Sequence, residues 1–191
     1  MQKRRLQQVA ALVAALTVFM LGSAAVCGAA AADFRYPITF HEPAQPNPNV
    51  EYESLTEMAL ALGFTPLTLP EASGYDCTKM SIIDGVTADL AYISRDKLQQ
   101  EESTFSIRSA EMAKTASLKG DISGLYGVKW QKTQMGSTTV YIGKIDSKSF
   151  AVRWVNGKYA FAAMARNISK EAFQTIVREL LVPATERGFG A

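Results

Sequence analysis

The spacing of apolar and polar residues changes along this chain, and each change predicts an element. From Ser54 onward Leu55, Met58, Ala59 and Leu62 fall at helical spacing. The Ser54 hydroxyl is placed to accept from the Glu57 amide while the Glu57 carboxylate reaches back, and Gly63, with Pro66 beyond it, is placed to end the helix. After Pro70 and Gly74 the period becomes two, with Met80 and Ile82 on one predicted strand and Ala88, Leu90 and Tyr92 on the next. Apolar residues at even positions on both strands share a face only if opposed numbers sum to an even value. That requirement selects a three-residue loop, Asp84-Gly85-Val86, opposing Ile82 with Ala88 and Met80 with Leu90.

A strand over Thr104 to Arg108 turns Phe105 and Ile107 inward, and Ser109 to Lys119, without clear caps, reads as loop or a frayed helical turn. Further strands are predicted over Tyr126 to Gln131, Thr138 to Ile145 and Phe150 to Val155. Val155-Asn156-Gly157-Lys158 predicts a two-residue hairpin turn that opposes Trp154 with Tyr159 and Val152 with Phe161. Ser169 is placed to cap a helix running to about Leu181, with Phe173, Ile176, Val177 and Leu180 at helical spacing and Pro183 closing it. Strands joined mainly by short turns between two helices predict an α+β fold, a curved antiparallel sheet packed against an N-terminal and a C-terminal helix.

The N-terminus has the order of a secretory signal: basic Lys3-Arg4-Arg5, the apolar run Val9 to Leu21, and small residues ending in Ala29-Ala30-Ala31-Ala32. The expected organisation is a signal peptide over residues 1–32, a proline-rich lead-in over 33–50, a single domain over 51–183 and a tail over 184–191. The alternatives are an uncleaved membrane anchor, since Val9 to Ala32 carries no charge, and lipid attachment at Cys27, where Val26 stands in place of the small residue such a site needs. The apolar-rich phrase Phe34 to Phe40 within the lead-in is a candidate edge strand.

Export alters the charge argument. The whole chain has a formal charge of +2, but residues 1–32 hold Lys3, Arg4 and Arg5 and no acidic group, so the mature part carries −1. A nearly neutral domain without a Lys/Arg cluster does not have the footprint of phosphate-backbone binding, so nucleic acid is not an expected partner. The mature chain keeps Cys77 alone and makes no internal disulfide, so its stability has to come from its core.

Four segments resemble a known family. Asn47-Pro48-Asn49-Val50-Glu51-Tyr52, with Ser54, Gly63-Phe64, Pro70 and Gly74-Tyr75, is similar to the opening of the domain of unknown function family 4367. Asp121 to Tyr126, Trp154 to Tyr159 and Ser169 to Phe173 resemble its middle and end, so the likeness spans Asn47 to Leu181. The resemblance implies a protein of Gram-positive anaerobes placed outside the membrane, as an exported protein or as the outer domain of an anti-sigma-factor-like protein. It implies sensing or binding and brings no catalytic residue.

Candidate chemistry is sparse. Cys77 and the sole histidine, His41, are the minimum for a thiolate–imidazole pair, but His41 lies in the lead-in and Cys77 at the start of a strand, where a small core residue is the simpler reading. Asp76, Asp84 and Asp89 are too scattered for a calcium loop, and Gly120, Gly124 and Gly127 precede no clear helix that would cradle a phosphate. No metal and no cofactor is expected. Among the aromatic residues Tyr126, Trp130, Tyr141, Trp154 and Tyr159, register assigns Trp154 and Tyr159 to the core and leaves Trp130 and Tyr141 as candidate ligand-binding residues. The expectation is an exported, non-enzymatic binding or sensing module for a small apolar ligand, a peptide or an extracytoplasmic protein. The alternatives are a small secreted hydrolase and a lipid or apolar-ligand carrier.

Overall fold

The computed structural model describes residues 49–96 and 101–189. The predicted signal peptide, Cys27, the Phe34 to Phe40 phrase and His41 lie outside the described residues. Strands β1 (Asn49–Glu51), β2 (Tyr75–Ile83), β3 (Thr87–Ser94), β4 (Thr104–Glu111), β5 (Trp130–Met135), β6 (Thr138–Lys144), β7 (Phe150–Asn156) and β8 (Tyr159–Arg166) form one sheet. Its order is β1-β2-β3-β4-β8-β7-β6-β5 and every neighbouring pair is antiparallel. Two meanders therefore meet at the β4–β8 pair, and the chain between β4 and β5 has to travel from the middle of the sheet to its edge. The sheet stays open, and the molecule is mostly sheet with some helix.

The β2–β3 hairpin has the predicted register, Met80 opposite Leu90 and Ile82 opposite Ala88, closed by Asp84-Gly85-Val86. An extra residue, Thr78, bulges between the pairs Cys77–Tyr92 and Lys79–Ala91 and switches parity, so odd-numbered Tyr75 is buried in the same cluster as Ile82. The β7–β8 hairpin departs from prediction. Asn156 stays in the strand opposite Tyr159, so Trp154 faces Phe161 and Val152 faces Ala163. The turn is Gly157-Lys158, and only Gly157 takes a positive φ, +55°, which meets the need of a type II′ turn for a left-handed first residue.

Three other boundaries also differ from the sequence expectation. Residues 126–129 precede β5 and are not strand, while β4 runs on to Glu111 and is followed by 3₁₀ turns over Met112–Leu118. The sheet begins at Asn49, inside the expected lead-in.

The C-terminal helix, capped by Ser169 through the Ala172 amide, does not stop at Pro183. It runs as α2 (Lys170–Ile176), a π-helical turn (Val177–Leu181) and α3 (Val182–Gly188). A proline inside a regular helix removes one bond and collides with the carbonyl four residues earlier. Here the wide turn delivers Pro183 into the first turn of α3, where a missing N–H costs nothing. The expected tail is therefore largely helical, with Thr185 fully buried.

The earlier helix, α1 (Leu55–Leu62), buries Met58 and Leu62 in the same cluster, and its Ser54 cap accepts from the Glu57 amide. Phe105 and Phe150 bracket Phe173 of α2 at centroid distances of 5.9 Å each, and Trp154 stacks on Phe161 at 5.4 Å. Trp154 also donates its Nε1–H to Thr185 Oγ1 at 3.2 Å. These rings fill the space between the sheet and the C-terminal helix. Among the described residues no helix is long and apolar enough to cross a membrane.

Candidate functional site

Side chains alternate across a strand, so the residues between the core positions build the opposite face of the sheet. One rung of that back face runs through all eight strands: Glu51, Ser81, Asp89, Arg108, Ala162, Arg153, Tyr141 and Lys132. The segment from β4 to β5 lies over the middle of this face. Ile122 packs on Ala110, Ala160 and Ala162, whose small side chains admit it. Arg108 holds the segment from below, donating Nη1–H to the carbonyls of Ser123 at 2.9 Å and Ile122 at 3.4 Å while pairing through Nε with Asp89 at 3.1 Å.

The two aromatic candidates come together beyond the end of that segment. Tyr141 is the direct cross-strand partner of Arg153, and Trp130 stands one rung away opposite Gly143. Both rings contact the Arg153 guanidinium, at 4.9 Å for Tyr141 and 5.1 Å for Trp130, two cation–π contacts that span three strands. Gly143 makes this possible. A Cβ there would overlap Val128 and lie 3.1 Å from the Trp130 indole.

Arg153 is incompletely satisfied. Asp121 Oδ2 lies 3.4 Å from its Nε, an ion pair, but off the N–H direction, so the buried Nε–H has no hydrogen-bond acceptor. The other carboxylate oxygen of Asp121 is engaged by the Ser123 amide and hydroxyl at 3.1 and 2.6 Å. Asn156 Nδ2, nearby, is also buried without an acceptor among the described residues. A buried donor left without an acceptor costs a fold about 1–3 kcal/mol.

Arg153 and Tyr141 line an open pocket of about 670 Å³ together with Lys119, Lys132, Thr139 and Asn156. A larger open cleft, about 1220 Å³, lies at the other end of β5 and β6, against the start of α2. Its lining mixes signs. Lys129, Lys144 and Lys170 stand among Asp146 and Glu171, and Lys148 is paired with Glu101 at 2.9 Å. The Asp146 carboxyl is held below its ordinary range by the Lys148 amide and the Ser149 hydroxyl.

The remaining sequence candidates are accounted for locally. Cys77, expected as a small core residue, is exposed; its thiol donates to the Lys79 carbonyl, and partial desolvation pushes it up, away from the thiolate a nucleophile needs. Asp76 pairs with Arg95 at 2.6 Å, Asp89 with Arg108, and Asp84 occupies the first of two left-handed positions in the β2–β3 turn, Gly85 the second. Gly120, Gly124 and Gly127 are turn residues of the segment that crosses the back face. Tyr126 is almost wholly exposed, at 96 %. Trp154 is core, and Tyr159 packs between Phe64 and Phe189.

Sequence reasoning did not single out Arg153, Lys119 or Asn156. The signal for Arg153 was present. If Val152 and Trp154 point to the core, the residue between them points the other way, and its partner is then whatever β6 places beside it. No protein-family model, no curated protein and no solved structure matches this chain, so the likeness to family 4367 rests on its four sequence segments.

Proposed function

We propose that this protein is an exported, non-enzymatic binding or sensing module whose ligand-contacting surface is the back-face pocket around Arg153. In this reading the sheet curves over its two terminal helices, the core face supplies rigidity, and the back face recognises. The observation that carries the reading is the convergence of Trp130 and Tyr141 on a guanidinium that is oriented but not fully hydrogen-bonded, at the wall of an open pocket. Its rings hold the arginine in place before any ligand arrives, which lowers the ordering cost of binding.

Two observations favour binding over hydrolysis. The pocket is lined with cations and hydroxyls, without a paired acid and base, and the Cys77 thiol is shifted up, away from the thiolate. The filled space between sheet and helix favours a surface pocket over an enclosed apolar cavity of the kind a lipid carrier needs. Export rests on the order of basic, apolar and small residues at the N-terminus.

Native mass spectrometry of wild type and Tyr141→Ala recovered side by side from the host's extracytoplasmic fraction tests the reading. The expected result is a processed wild-type chain carrying a discrete species that the variant does not carry. A wild type recovered bare, or a species retained equally by the variant, overturns it.

A further inference from the structure

We propose that the Arg153 pocket is an oxyanion site, which takes its ligand through a carboxylate or phosphate group. This rests on the pocket being the ligand-contacting surface and adds the chemistry of the ligand.

Charge is the first argument. Lys119, Lys132 and Arg153 all line the pocket, and one carboxylate, Asp121, pairs with Arg153 from outside its lining. Neither Lys119 nor Lys132 has an ion-pair partner among the described residues. A domain that is slightly acidic outside its signal segment thus places three cations around one concavity. Lys132, Tyr141 and Arg153 are consecutive members of a single rung, so the sheet itself fixes the spacing of two of them.

Hydrogen-bonding polarity is the second argument. The Lys119, Lys132 and Arg153 side chains only donate. The complement of these three cationic donors is a group that accepts through several oxygens, which describes an ionised carboxylate or phosphate. Arg153 adds geometry. A planar guanidinium contacted by two rings presents its remaining N–H groups in a fixed fork that matches two oxygens of one anion. The larger cleft at the other end of β5 and β6 is closer to balance, with Lys129, Lys144, Lys148 and Lys170 set against Glu101, Asp146 and Glu171.

Volume sets the scale of the whole ligand. At about 670 Å³ the open pocket has room for more than a bare anion, so it can admit an oxyanion carried on a sugar-sized body.

The experiment is an NMR titration of the mature protein with inorganic phosphate, glucose 6-phosphate and glucuronate, with glucose as the neutral control. The Trp130 indole N–H and the amides of Lys119, Gly120, Lys132 and Asn156 report on the pocket. The expected result is saturable shifts with the oxyanions and none with glucose, an affinity that falls as salt is raised, and about tenfold weaker binding for Lys132→Ala. Lys132 is an exposed residue of the edge strand, so that variant folds. Arg153→Lys, which keeps the charge and loses the planar fork, weakens binding by at least as much. Preference for glucose 6-phosphate assigns the natural group as phosphate, and preference for glucuronate assigns it as carboxylate.

Shifts that glucose reproduces, or oxyanion binding that neither variant weakens, overturn the oxyanion assignment. They leave the pocket as a ligand surface. A wild type that takes up none of the probes and carries no species from its host overturns both.

Discussion

The two faces of the sheet are built from the same strands by alternate residues, and they differ in nearly every physical respect. The helix-covered face carries Phe105, Phe150, Trp154 and Phe161, large rings that meet Phe173 and one another and exclude water. The back face carries Ala110, Ala151, Ala160 and Ala162, with Arg108 and Arg153 between them. On the first face side-chain volume fills space. On the second, small side chains leave room for a length of backbone, and two arginines hold what comes to lie there. Trp154 and Arg153 are neighbours in sequence and stand on opposite sides of this division. Stability is thus concentrated on one parity of each strand, and the other parity is left free to carry charge.

The largest effect that sharpens this contrast is expected at Trp154. Trp154→Ala opens a cavity against Phe161 and removes a hydrogen bond to Thr185, and a loss of about 4 kcal/mol in a urea or guanidinium titration is expected. A loss near 1 kcal/mol would mean that the covered face is not the source of stability.

Arg108→Ala is expected to cost less, about 2 kcal/mol, because it removes one partly buried ion pair and two hydrogen bonds while leaving the core intact. The same variant should lose hydrogen-exchange protection around Ile122 and Ser123 while protection in β3 and β8 persists. Equal loss in all three would show that the two faces do not act separately.

The smallest effect is at Glu186, which accepts from the Ser137 hydroxyl at 2.6 Å and the Thr138 hydroxyl at 2.8 Å across the β5–β6 turn. Those bonds hold its carboxyl below the ordinary range. A depressed carboxylate stabilises the fold above its unfolded-state pKa, and that contribution disappears as pH falls through the lower folded value. The melting temperature of wild type should therefore exceed that of Glu186→Gln slightly at neutral pH, and the two curves should converge in acid. A gap that widened on acidification would reverse the assignment.

What could be read from the sequence follows the range of the forces involved. The β2–β3 register was legible because Met80, Ile82, Ala88 and Leu90 impose a parity that one loop length satisfies. The Ser169 cap was legible because its partner is three residues away. The Gly157-Lys158 turn was misplaced by one residue because Asn-Gly favours a left-handed Asn156, and the strand pairing of Asn156 with Tyr159 outweighed that local preference. Both sites of the back face depend on contacts between distant segments. The Arg108 grip needs residues 122 and 123 to cross the sheet, and the two cation–π contacts of Arg153 need the β5–β6–β7 register. Trp130 and Tyr141 stood out as individual residues. Their shared cation became visible only once three strands were aligned.

The wide turn in the C-terminal helix has a consequence for how that helix meets the sheet. Phe173, Val177, Leu181, Thr185 and Phe189 are spaced by strict fours, and all of them pack against the core. In an ideal helix each step of four overshoots a full turn by about 40°, so four steps would swing Phe189 roughly 160° away from the azimuth of Phe173. The π-helical turn at Val177–Leu181 advances less per residue and takes back part of that rotation. It works as a phase correction, and with it a single rod keeps one seam against the sheet from its first turn to the ring of Phe189.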